Sequence, residues 1–338
     1  MATETDEIRA QQPDRGRDAE KPTAIPFKGW KDIAYRLFVG FNENRVLLTA
    51  AGVTYYILFA MVPSLSLFVT LYGLLNDPAG VVDQLNLLAG IVPESALGLI
   101  REQLVRLTSE DSASLSLTLV ISLAVALWGA SGGVKALFEA MNVVYGETEG
   151  RGFFKLTLLS FLFIIGGVIM LVFMLGVVLV MPVILNIFAL GGLAWLVRLG
   201  SYGLMLVSLV VGLSALYRWG PSRADARWRW ITPGSIFGTV GIMAASAGFS
   251  WYAANFSNYD ATYGSIGAMF GFLTWMWISV TVVILGGALN SELEHQTAVD
   301  STTGQPQPLG ERGAYVADTV GGRWPAKGGK AAQEHPEE

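Results

Sequence analysis

The chain contains no cysteine and only two histidines, His295 and His335, in 338 residues. The first absence excludes disulfides, thiolate nucleophiles and Cys-based zinc or iron-sulfur sites. The histidines stand far apart and outside every apolar run, which argues against a metal site or hydrolytic centre built on several His ligands. Charge is scarce as well: 14% of residues are charged and 52% hydrophobic, where a soluble domain averages about 25% charged. No GxxxxGK[ST], HExxH or dense carboxylate cluster occurs, so a nucleotide-driven pump is not expected, nor is any cofactor or metal. Ser131 and Lys135, one helical turn apart, superficially suggest a serine-lysine dyad, but no oxyanion site accompanies them. The chain is read as a non-enzyme.

What the chain has is long runs without Asp, Glu, Lys, Arg or His: 46–76, 112–134, 156–197, 199–217, 231–259 and 261–291. Runs of about 20 apolar residues cross a bilayer, so a membrane is the expected solvent. The run 156–197 as one helix would extend about 63 Å, roughly twice the hydrocarbon thickness. It must break, and Pro182, Asn186 and the Gly191-Gly192 pair are the expected breakers. The expected fold is an all-α integral membrane protein. Its six transmembrane helices lie at about 47–73, 114–134, 156–180, 199–217, 232–255 and 266–289.

Residues 1–27 and 296–338 carry mixed charges, prolines and glycines with few apolar side chains. Composition predicts two disordered tails flanking a membrane domain at 28–295. No apolar segment followed by a small-residue cleavage site lies near the start, so no signal peptide is expected. Basic residues cluster before span 1 (Lys28, Lys31, Arg36, Arg45), between spans 2 and 3 (Arg151, Lys155) and between spans 4 and 5 (Arg218, Arg223, Arg227, Arg229). The positive-inside rule then puts both termini in the cytoplasm, as an even span count requires.

Within the spans, polar and small residues are concentrated in the first, second, fifth and sixth. Pro63 interrupts span 1 and is read as a hinge, or simply a fixed bend, beside Tyr55 and Tyr56. The loop 77–111 shows helical periodicity after Pro93 and is expected to form an outer amphipathic helix. Span 2 has Gly129 and Gly133 four apart, a strip for close helix approach, followed by Lys135, Glu139 and Asn142. Lys135 and Glu139 can pair at i, i+4. With Asn142 they are candidates to contact a polar or anionic head group in a cavity; the alternative is a snorkelling lysine with a local ion pair. Gly234 and Gly238 in span 5 and Gly267 and Gly271 in span 6 repeat the strip. Such strips fit packing within one chain or between protomers of a homo-oligomer. Asn290 ends span 6 as a further cavity candidate or a plain helix-end residue.

Three motifs in order carry a family likeness. Tyr55-Tyr56 with Pro63 is the first; Trp128-Gly-Ala-Ser-Gly-Gly-Val-Lys-Ala-Leu with Asn142 and Tyr145-Gly146 is the second. The third joins Trp230-Ile-Thr-Pro-Gly, Tyr263-Gly-Ser-Ile-Gly and Leu289-Asn-Ser-Glu-Leu-Glu. Over about 28–295 the chain resembles the YihY/BrkB family of bacterial inner-membrane proteins. The resemblance implies six helices, cytoplasmic termini and a role described as transporter or envelope factor. The family also carries an old ribonuclease BN label, which these residues do not support. Two positions depart from its pattern: Ala60 where Ser is common, and Ala288 where a carboxylate often precedes Leu-Asn.

The expected function is a non-ATP-driven transporter or exporter of a lipid-like or amphiphilic anion, with a cavity lined by Tyr55 and Lys135. Its rival is a non-transporting membrane scaffold or envelope-integrity factor. The lipid bilayer and a small-molecule or lipid substrate are the expected partners, and nucleic acid is not.

Overall fold

The computed structural model describes residues 3–59, 112–187, 194–256 and 265–324, and the described residues are helical with irregular connections. Helices α1 (Glu4–Ala10) and α2 (Phe27–Glu43) precede the apolar part of the chain. They are followed by α3 (Val46–Phe59) and α4 (Ser112–Tyr145). Helices α5 (Phe153–Ile187), α6 (Ala194–Trp219), α7 (Trp228–Phe256) and α8 (Ser265–Glu294) come next. A single turn, α9 (Tyr315–Asp318), lies near the end. Among the described residues, four helices hold stretches long and apolar enough to cross a membrane: Phe153–Met174, Leu199–Trp219, Trp228–Tyr252 and Met269–Glu294. Helix α4, at 34 residues, extends about 51 Å, and α3 is a shorter apolar helix. Pro63, the 77–111 loop and Ala60 lie outside the described residues.

Of the expected breakers in the third apolar run, Pro182 and Asn186 lie inside a helix and the Gly191-Gly192 pair lies outside the described residues. Helix α5 continues through Pro182 and Asn186 to Ile187, and α6 starts at Ala194; residues 188–193 lie outside the described residues. Pro182 lacks one amide proton yet does not end the helix, because proline is tolerated in membrane helices whose freed carbonyls find other partners.

Consecutive helices α4 to α8 pack side by side, and α8 returns to touch α4 and α2. Paired hydroxyls join neighbours at depth: Ser131 and Ser160 link α4 to α5, and Ser214 and Ser235 link α6 to α7, each at 2.8 Å. With no water in hydrocarbon to satisfy them, such groups act as interhelical links. The glycine strip of α4 receives α3. A Cβ added at Gly132 would rest on the Tyr56 ring at 3.4 Å, and one at Gly133 on Ile57 at 3.7 Å.

Among the described residues the main core lies toward one end. The main core unites Val46, Ala50 and Val53 of α3, Phe138, Met141 and Tyr145 of α4, and Leu213, Leu216 and Tyr217 of α6. Ile231 of α7 and Val280, Ile284 and Ala288 of α8 complete it. All but Val53, at the middle of α3, lie in the half of their helix nearer the chain termini. Toward the opposite end α4 shows Trp128, α5 Val172 and α7 Trp251 as exposed side chains. The helices therefore converge at the face that carries both chain ends, and their apolar outer surfaces suit a lipid environment.

At that face the described parts of the two expected disordered tails, 3–27 and 296–324, are folded against each other. Arg17, 1% exposed, donates to the carbonyls of Gln296 at 2.9 Å and Gly321 at 2.7 Å. The Ala298 amide donates to the Arg17 carbonyl at 2.7 Å, and Asp6 accepts from the Val320 amide at 3.0 Å. Asp318 accepts from the amides of Gly310, Arg312, Gly313 and Ala314. Each end is too polar to build a core alone. The two satisfy one another's backbone groups, a pairing across some 300 residues that the composition of either cannot reveal.

Candidate functional site

Where the helices converge, polar side chains are buried. Arg223, in the α6–α7 connection, meets Glu294 at the end of α8 through two bonds of 3.3 and 2.7 Å, with side chains 2% and 0% exposed. Ser301 donates a further 2.8 Å bond to Glu294, and the guanidinium lies 5.1 Å from the Tyr145 ring centroid. Burial works most strongly against the Arg223 charge, but Glu294, joined by Tyr145 and Glu147, holds the guanidinium above its ordinary pKa.

Asn290 stands one turn before Glu294 and is fully buried. Its Oδ1 accepts from the Gly234 amide at 2.7 Å, the residue after Pro233 in α7. Here α7 and α8 cross backbone to backbone: a Cβ at Gly234 would collide with the Gly286 carbonyl and sit 2.5 Å from Asn290 Cγ. Only glycine permits that approach. Tyr217 of α6 closes the crossing, its hydroxyl donating to the Val283 carbonyl at 2.8 Å. Asn290 also lies beside the Tyr145 hydroxyl. Tyr145 Oη and Asn290 Nδ2 face one another without a bond of normal geometry, and neither has another partner among the described residues.

A second asparagine joins the loops. Asn142, 1% exposed, accepts from the Ser222 amide at 2.7 Å and donates to Glu149 at 3.2 Å. Glu149 is forked by Arg151 at 2.7 and 2.6 Å. These bonds, Arg151 first, pull its carboxyl down to about 2 against the opposing effect of burial.

The expected site is therefore divided. Asn142 and Asn290 join one buried network through Ser222-Arg223, Tyr145 and Glu294. Lys135 does not join it: its ammonium donates to Thr157 of α5 at 2.9 Å and lies 5.2 Å from the Phe153 ring centroid. Glu139 is exposed and unpaired with Lys135, contrary to the i, i+4 expectation. The hydroxyl of α5 reaches the ammonium, so the helix-surface pair has no advantage. Tyr55 and Tyr56 are exposed rings in edge contact with each other at 6.0 Å, and Tyr56 packs on Gly132. Of the packing glycines, Gly129 and Gly133 are buried in α4, and Gly234 and Gly238 face α8 and Tyr217 respectively. Gly271 takes ordinary contact from Phe249, and Gly267 lies in α8.

Sequence reasoning passed over Tyr217, Arg223 and Glu294 as site members. Gly286, Asn290 and Glu294 recur every four residues on one face of α8, and that polar stripe is the signal that could have found them. Among the described residues no group of three or more His, Cys, Asp and Glu could hold a metal ion.

Long apolar helices, hydroxyl links and a buried polar network define a multi-pass helical membrane protein. The Virulence factor BrkB family matches residues 37–309, and the chain belongs to that family. It is similar to the ribonuclease-like protein YfkH of Bacillus subtilis (strain 168), 30% identical over 270 residues, covering 76% of this chain and 93% of YfkH. No solved structure matches.

Proposed function

We propose that this chain is a six-span membrane transporter or exporter of a lipid-like or amphiphilic anion, working without ATP, with both termini in the cytoplasm of a bacterial inner membrane. In this reading α3 and α4 belong to the first two spans, and the converging ends form a closed cytoplasmic gate. The observation that carries it is the loosely met pair Tyr145 Oη and Asn290 Nδ2, which face only one another beside the buried Arg223–Glu294 pair. A buried polar group without a partner costs about 1–3 kcal/mol, and a buried ion pair adds little net stability. A rigid scaffold gains nothing from them. An alternating gate does, because the same groups find water or substrate when α7 and α8 separate.

The scaffold reading draws support from the Gly234–Gly286 crossing, which locks two helices closely. Reconstitution into liposomes with a panel of anionic amphiphiles and small anions separates the two. The native chain is expected to move an anionic amphiphile without nucleotide, and Tyr145→Phe to slow it without loss of folding, since that hydroxyl has only the loose Asn290 contact in the closed form. Movement of none of the panel supports the scaffold. Equal rates for native and Tyr145→Phe remove the gate role from Tyr145.

A further inference from the structure

A groove of about 460 Å³ opens on the face that carries the chain ends, lined by Glu20, Arg227, Arg229, Asp300, Gln307 and Arg312 among others. Its charges are unequally committed. Arg312 donates to the carbonyls of Gln307, Ala317 and Ala298. Asp300 accepts from the Thr302 amide and hydroxyl and from the Gln307 amide, between 2.7 and 2.9 Å. Arg227 uses Nε for the Thr302 carbonyl at 2.8 Å, leaving its terminal nitrogens. Arg229 has no partner among the described residues, and its Nε is shut off from solvent. Glu20, exposed at the rim, likewise forms no bond.

The groove also has a depth. Trp228, between its two arginines, begins the apolar stretch of α7 and is half exposed. It packs edge-on against Trp219, the last residue of α6, at 5.9 Å. Tryptophans at both helix ends mark the level of a membrane interface. An arginine held there with its donors unmet is a recognition group for a planar or tetrahedral oxyanion, which it meets through two parallel N–H bonds.

We infer that this groove binds a phosphoryl group carrying net negative charge, gripped by Arg229 and the terminal nitrogens of Arg227, and presented by an anionic phospholipid or as free phosphate. The assignment holds whether or not the chain transports. A lipid bound this way keeps its acyl chains beside Trp228 and Trp219 while its head group enters the groove.

The test uses the full chain in nanodiscs and in detergent, with phosphatidylglycerol, phosphatidylcholine and inorganic phosphate as probes. Saturable binding of phosphatidylglycerol over phosphatidylcholine identifies the lipid source, and saturable binding of phosphate in detergent the free one. Either is expected to weaken about tenfold or more in Arg229→Gln, the loss of one charge-assisted contact. Arg229→Lys is expected to fall between, and Arg323→Gln, with the same charge change at an exposed position outside the groove lining, to bind as native. Thermal melts show that the variants are folded. No saturable binding of any probe, or equal weakening by Arg229→Gln and Arg323→Gln, overturns the site.

Discussion

Arg223 and Glu294, 71 residues apart, face one another with two bonds and almost no solvent, at the point where the α6–α7 connection reaches the end of α8. Taking one partner away leaves the other charge buried alone, a loss of about 3–5 kcal/mol, whereas an apolar replacement of both is close to neutral. Glu294→Ala is therefore expected to lower the melting temperature more than Arg223→Met with Glu294→Leu together. Melting of the purified chain, read as a double-mutant cycle, checks this. A double variant as unstable as the sum of the single ones would mean that the two do not act as a pair.

The glycines differ in what they permit. At Gly234 an added methyl group meets the backbone carbonyl of Gly286, which cannot turn aside. At Gly238 it meets the Tyr217 hydroxyl at 2.9 Å, a side chain that can move only by releasing the Val283 carbonyl. At Gly133 and Gly271 it finds ordinary contact at 3.7 and 3.6 Å. Alanine substitution should rank accordingly: Gly234 worst, at the upper end of the roughly 1–3 kcal/mol of overpacking, then Gly238. At Gly133 and Gly271 stability should stay within about 0.5 kcal/mol of native or rise with helix propensity. Detergent melts of the four variants give the order, and an equal penalty at Gly133 and Gly234 would contradict the crossing.

This ranking shows where sequence legibility ends. Absence of charge marks the apolar helices because hydrocarbon penalises any ionised group, so α5 to α8 can be read directly. Glycine spacing marks a strip but not its partner: Gly133 and Gly234 look alike in sequence and differ in how closely the neighbouring helix approaches, at ordinary contact for Gly133 and against the Gly286 carbonyl for Gly234. Lys135 and Glu139 fit a local pair, yet Thr157 lies closer once α5 packs against α4. Arg17 looks like a charge in a solvated tail because its acceptors, the carbonyls of Gln296 and Gly321, belong to the other end of the chain.

Lys135 provides a separate test of the divided site. Its single hydrogen bond to Thr157 ties α4 to α5 away from the buried network. A charge-assisted bond is worth about 1.5–3 kcal/mol, less where solvent reaches it. Lys135→Ala is expected to destabilise by no more than this and to leave transport per folded molecule unchanged, while Tyr145→Phe does the reverse. Liposome flux normalised to folded protein distinguishes them, and a loss of flux in Lys135→Ala at native stability would return Lys135 to the pathway.

His295 makes the folded ends sensitive to acid. Its ring is held by Thr319 at 3.0 Å and lies 6.0 Å from the Tyr315 ring. Burial, and then Arg36 of α2, Arg17 and Arg9, oppose its protonation, with Asp6 alone favouring it, so its pKa falls from 6.5 to about 3. Between those values the unfolded segment binds a proton that the folded one refuses, so stability rises with pH across the window. The contribution is whole above about 6.5 and is lost as pH falls toward 3. Carboxylates confuse the lower part of that range, so the informative interval is about pH 7 to 5. Over it, amide exchange in 3–26 and 296–324, corrected for intrinsic rates, should accelerate in the native chain. In His295→Gln, whose side chain keeps a polar partner for Thr319 but cannot take the proton, it should stay level. The same acceleration in both chains would assign the acid response to Asp6 or its neighbours instead. The groove at Arg229 touches this folded segment through Ala298 and Val299, so acid that loosens the ends should also weaken phosphoryl binding in the native chain and not in His295→Gln.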